Sequence, residues 1–178
     1  VKTMRWTLWG VVVLFAALMT LFAWQLSRPK DDFVESTMIG KPVPEFTLEA
    51  AAADRPGLSS VDLADGTPKL MNIFASWCVP CIAEAPQLAE LERAGAPIVG
   101  VAIRDTPEDL VAFLQRNGNP FTRIGADNLS EIQFAIGSSG VPETFVIDGK
   151  GIIRYQHIGD IREEDIPVLL AKLKEAGA

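Results

Sequence analysis

Histidine and cysteine are scarce in this chain of 178 residues, which has one histidine, His157, and two cysteines, Cys78 and Cys81. A single histidine excludes multi-histidine metal sites. A tetrahedral zinc site on the two cysteines would need two more ligands, and only His157 and a carboxylate remain to supply them. No metal site is expected, and His157 reads as structural or solvated. Two cysteines cannot form a disulfide scaffold for a domain this size, so their role is expected to be chemical. Basic runs are missing too. With 16 basic against 23 acidic residues, a net charge of −7 and a pI near 4.7, nothing resembles the clustered Lys and Arg that neutralise phosphates. Nucleic acid is not an expected partner. No internal repeat is visible.

Charge is absent from residues 6–27, a run of 22 positions that includes Val11-Val12-Val13-Leu14-Phe15. A membrane span needs about 20 apolar residues. A signal-peptide core is about 7–15 residues long and ends at an Ala-x-Ala-like site. Here Phe22-Ala23-Trp24-Gln25 puts a tryptophan where a small residue should stand. Trp6, Trp9 and Trp24 lie near the two ends, as interfacial aromatics do. Lys2 and Arg5 precede the run, and Arg28 and Lys30 follow it. The expectation is a transmembrane anchor over 1–27, N-terminus inside, then a polar, Pro-containing linker over 28–43 and an exported domain over 44–178. A cleaved signal peptide is the alternative.

Within the domain, Glu45–Leu48 reads as a short strand and Leu58–Leu63 as a second. Residues 69–75 and 97–103 are mostly apolar runs of the fully buried strand type. A helix pattern follows the first run, with Pro86 expected to kink it and Gly95 to stop it. Thr106-Pro107 caps a helix that ends at Asn117-Gly118. Residues 121–124 read as a strand and 129–136 as a short helix. Strands over 144–147 and 152–155 are joined by Asp148-Gly149-Lys150-Gly151, and a final amphipathic helix covers 163–175. This order predicts an α/β fold: a central mixed sheet flanked by helices on both faces, with a right-handed βαβ unit around the cysteines.

Cys78-Val79-Pro80-Cys81 joins a buried strand to a helix start, a strong redox signal. The spacing lets the sulfurs reach disulfide geometry across one turn. Unpaired N–H groups and partial positive charge at a helix N-terminus favour a thiolate at Cys78. Cys81, one turn in, suits the resolving role. Haem attachment needs a histidine after the second cysteine, and Ile82 stands there. A purely structural disulfide would close a loop too short to add much stability. A membrane-anchored Cu(I)-handling protein with two thiolate ligands stays open as an alternative.

The motifs Phe74-Ala75-Ser76-Trp77-Cys78-x-Pro80-Cys81-x-x-Glu84 and Gly140-Val141-Pro142-Glu143-Thr144-Phe145 resemble the thioredoxin superfamily. With the N-terminal anchor, they are similar to its CcmG/DsbE-type thiol:disulfide interchange branch of cytochrome c biogenesis. The resemblance covers about residues 38–175. It implies a thioredoxin-like fold, a redox-active Cys78–Cys81 disulfide and no cofactor. Cys78 would be the nucleophile and Cys81 the resolving thiol. Pro142 would be a cis proline facing the dithiol, and Val141 would bind an extended substrate through its backbone. Trp77, Glu84 and Glu143 would tune the redox pair. The bland readings are a trans turn proline and two solvated carboxylates. Where thioredoxin has a buried carboxylate, this chain has Asn72, so Glu84 is the candidate to exchange a proton with Cys81. The implied partners are apocytochrome c or a maturation component and an upstream membrane thiol reductant. The implied location is the bacterial inner membrane, with the domain in the periplasm. Carboxylates near the dithiol raise a thiolate's pKa, which favours a reductant over an oxidant. Clients such as copper-oxidase assembly factors remain a variant of the same reading.

Overall fold

The computed structural model describes residues 2–26 and 36–178, in two compact units divided between residues 33 and 34. The first unit contains helix α1 (Lys2–Leu26), so the uncharged run is helical as far as Leu26. Residues 28–35 of the expected linker lie outside the described residues.

The second unit opens with a short antiparallel ribbon, β1 (Thr47–Leu48) with β2 (Leu58–Ser59). The expected second strand stops early, and α2 (Ser60–Leu63) begins at once. The Ser59 N–H and hydroxyl both donate to the Asp62 carboxylate, at 2.9 and 2.6 Å. That local cap turns the backbone from strand to helix.

A five-stranded sheet follows. It comprises β3 (Lys69–Phe74), β4 (Ile98–Ile103), β5 (Arg123–Asp127), β6 (Glu143–Ile147) and β7 (Ile153–Ile158), interleaved with helices α3 (Val79–Arg93), α4 (Pro107–Asn117), α5 (Glu131–Ala135) and α6 (Ile166–Ala176). The spatial order is β5-β4-β3-β6-β7. The β3–β4 and β4–β5 pairs are parallel, and β3–β6 and β6–β7 are antiparallel. The sheet is mixed, as the element order predicts. Strands β3 and β4 are buried at every position, which is why their sequences lack alternation. Helix α3 runs unbroken through Pro86. Strand β5 starts later than expected, at Arg123, and Phe121 ahead of it packs in the core, its ring stacked on Phe74 at 4.7 Å. Gly100 in β4 leaves room for that stack, since a Cβ there would stand 2.8 Å from the Phe74 ring.

Residues 36–43 correct the linker expectation, because they belong to the domain. Ser36 and Val43 are buried. The Gly40 N–H donates to the Ile153 carbonyl at 2.7 Å, the Ile153 N–H to Lys41 at 3.0 Å, and the Val43 N–H to Gly151 at 2.9 Å. Residues 40–43 are held by backbone groups, and a polar, Gly- and Pro-containing sequence gives no side-chain sign of such pairing.

Candidate active site

Strand β3 delivers the buried residues Ile73, Phe74 and Ala75 and then turns through Ser76 and Trp77. Asp105, just past the end of β4, pins this turn. Its carboxylate accepts from the Ser76 N–H and hydroxyl, each at 2.6 Å. The Trp77 Nε1 donates to the Arg104 carbonyl at 3.2 Å, with its ring exposed. Cys78 is the N-cap of α3, and its Sγ accepts the Cys81 N–H at 3.2 Å. Cys78 and Cys81 are joined as a disulfide with Cα atoms 5.3 Å apart. Cys78 keeps 4% of its surface exposed and Cys81 1%, the order expected of an outer and an inner sulfur. In the reduced pair, the helix N-terminus acts on the Cys78 thiolate.

Glu84 sits one turn past Cys81 on α3 and is fully buried. Its two oxygens accept from Asn72 Nδ2 at 3.0 Å and from the Ile161 N–H at 3.1 Å. Burial pushes the carboxyl up to about 7, against the pull of those two hydrogen bonds, and the Asp160 charge adds to the rise. Asn72 also donates to Thr144 Oγ1 at 3.0 Å. Among the described residues, the Asn72 Oδ1 has no hydrogen-bond partner. Asn72, Cys81 and Glu84 line one small cavity, closed by apolar groups that include Phe74 and Leu88.

Strands β3 and β6 run antiparallel with Ile73 opposite Glu143. Val141-Pro142, immediately before Glu143, therefore lies at the sheet end that carries the dithiol loop. The Val141–Pro142 bond is cis. Glu143 is buried. One of its oxygens accepts from the Ser139 N–H and hydroxyl at 3.0 and 2.6 Å, and the other from Gln156 Nε2 at 3.0 Å. Both carboxylates are thus interior and hydrogen-bonded, not solvated. His157 lies in β7 opposite Thr144. Its Nε2 is 3.3 Å from the Asp160 carbonyl, a structural contact.

Sequence reasoning missed Asp105, Thr144, Ser139 and Gln156. Thr144 stands inside the Gly140–Phe145 motif without a role of its own there, and the other three belong to no motif. Each is a common polar residue whose importance comes from the turn or buried polar group it bonds. Arg104 and Ser130 carry a backbone signal, positive φ angles of 45° and 58°, that is visible only in the structure.

Together the mixed sheet, the dithiol at a helix N-terminus and the cis proline beside it define a thioredoxin-like dithiol–disulfide protein. Comparison with known proteins narrows this. Residues 38–173 match the redoxin family. The chain is 37% identical over 177 residues to the thiol:disulfide interchange protein DsbE of Escherichia coli K12, covering 94% of this chain and 95% of that one. It is 41% identical over 145 residues to the thiol:disulfide interchange protein HelX of Rhodobacter capsulatus, covering 82% and 81%. The crystal structure of a putative DsbE from Chlorobium tepidum has the same fold, with 24% identity and a TM-score of 0.64 over 82% of this chain and 99% of that one. The chain belongs to the redoxin family and, within it, to the DsbE-type thiol:disulfide interchange proteins. It is a thiol:disulfide oxidoreductase.

Proposed function

We propose that this protein is a membrane-anchored periplasmic reductant of apocytochrome c. It reduces Cys-x-x-Cys-His disulfides, directly or through a maturation partner, before haem is attached. The Cys78 thiolate attacks the client disulfide, forms a mixed disulfide and releases one client thiolate. Cys81 gives its proton to Glu84 and attacks the Cys78 Sγ. The second client thiolate leaves, and the Cys78–Cys81 disulfide forms. Two electrons from an upstream membrane thiol reductant, with Glu84 returning its proton to Cys81, restore the Cys78 thiolate and the Cys81 thiol.

The observation that carries the reading is Glu84, buried one turn from Cys81 and lining the same cavity. With its carboxyl pushed up to about 7, it can take up and return a proton near neutral pH. When ionised, it disfavours a thiolate beside it. A dithiol whose thiolate is disfavoured gives up electrons more readily. The client strand is held at Val141-Pro142 by backbone hydrogen bonds, a recognition mode with little sequence reading, beside the exposed Trp77.

The anchor rests on the full sequence. Some α1 side chains lie outside the described set, and among the described residues alone no helix is long and apolar enough to cross a membrane. In the full sequence, residues 6–27 are uncharged, and α1 has 25 residues, about 37 Å of helix at 1.5 Å per residue.

Cys81→Ser tests the client. It leaves the nucleophile without a resolving thiol, so mixed disulfides persist. Mass spectrometry of adducts from membranes of the producing cells should find a c-type cytochrome maturation component or apocytochrome c, together with the upstream reductant. Adducts containing only copper-oxidase assembly proteins would reject the cytochrome client.

A further inference from the structure

We propose that Ser36 is a positioning residue for the client edge, so that the segment entering the domain from its N-terminal side holds the Val141-Pro142 loop in its working place. This rests on the reading of that edge as the client-binding strand.

Ser36 is the first described residue of the domain and is buried. Its N–H donates to Gln156 Oε1 at 2.7 Å. Its hydroxyl donates to the Ile136 carbonyl and accepts the Met38 N–H at 3.0 Å. Gly137 makes the space for it, because a Cβ there would lie 2.5 Å from the Ser36 hydroxyl. Ile136 and Gly137 open the loop that runs to the cis proline.

The same loop is held again three residues on. Ser139 donates through its N–H and hydroxyl to Glu143, whose other oxygen accepts from Gln156 Nε2. Gln156 thus uses both ends of its amide, one on Ser36 and one on Glu143. The chain Ser36–Gln156–Glu143–Ser139 forms a closed brace around residues 136–143, and three of its four members are buried. Low dielectric strengthens such bonds and makes an unpaired member costly. The loop's position therefore depends on whether the entering segment is seated. A simple anchor point would need no bonds to this loop, since Gly40, Lys41 and Val43 already fix the segment to Gly151 and Ile153.

The Cys78–Cys81 chemistry lies outside this brace. Loss of the Ser36 hydroxyl should weaken the hold on an extended client while leaving exchange with a small disulfide intact. The test uses the full chain in detergent micelles with dithiothreitol as electron source. Steady-state exchange is measured with an oxidised peptide carrying Cys-x-x-Cys-His and, separately, with glutathione disulfide. Ser36→Ala should raise the peptide KM about 3- to 10-fold, the effect of one net hydrogen bond. It should leave the peptide kcat and both glutathione-disulfide constants unchanged. Gln156→Met cuts the brace at its centre and should raise the peptide KM further. If both variants keep the wild-type peptide KM, or slow both substrates equally, Ser36 does not position the client edge. If the wild-type chain has no lower KM for the peptide than for glutathione disulfide, the client-edge reading itself fails.

Discussion

Glu84 shows how burial gives an ordinary side chain a task. Its carboxyl stands at about 7 in the folded chain against an ordinary value of 4.5. Below about pH 4.5 it is protonated in both states and contributes nothing to stability. As pH rises through that value towards 7, the unfolded chain ionises first, and the folded state is progressively destabilised; above 7 the loss is complete. One pKa unit corresponds to about 1.4 kcal/mol, so the full loss is about 3 kcal/mol. Urea titrations of the oxidised chain between pH 4 and 8 should therefore show wild type losing this stability relative to Glu84→Gln. Parallel pH curves for the two would contradict the account. The replacement fits the site once the Asn72 amide turns over: a glutamine amide can then accept from the Ile161 N–H and donate to the Asn72 Oδ1. A protonated Glu84 can do the same. The cysteine pair was legible from its motif, and the cis proline from the family resemblance that the motifs carry. The burial of Glu84 and Glu143 was not, since a carboxylate in a helix or at a strand start is ordinarily solvated. Only the fold brings Asn72, Ile161, Ser139 and Gln156 to face them.

At the scale of elements, the dithiol is positioned by the ends of β3, β4 and β6. The turn between β3 and α3 depends on Asp105, which stands at the end of β4 and holds Ser76 twice. Asp105→Ala removes three charge-assisted hydrogen bonds, two from Ser76 and an exposed one from the Thr106 N–H, and should cost about 2 kcal/mol or more. It should also slow disulfide exchange, because the turn that presents Cys78 is no longer pinned. Thermal melts and exchange rates check this; a variant with wild-type rates would place the control of the turn elsewhere. The order of strands and helices was readable from buried apolar runs, Thr106-Pro107 and the glycine stops. Two elements were not. Apart from the Ser36 hydroxyl and the buried Val43 side chain, residues 36–43 dock through backbone groups, which leave no periodicity. The switch from β2 to α2 depends on one Ser59–Asp62 cap inside a run that otherwise reads as strand.

For the whole molecule, the account joins an anchor, an exported domain and a direction of electron flow. The proposed anchor, an uncharged run led by Lys2 and Arg5, predicts an N-inside topology. A phosphatase fused after Ala178 should be active from the periplasm, and a reporter active there only in the cytoplasm would reverse the assignment. The direction of electron flow is the central claim. It rests on a helix N-terminus that favours the Cys78 thiolate, opposed by a buried carboxylate beside the pair. Equilibrium titration of the full chain against the glutathione couple measures that balance directly. The account predicts a reduction potential roughly below −180 mV, on the thioredoxin side of the scale. A value near about −120 mV, where strong dithiol oxidants lie, would contradict it.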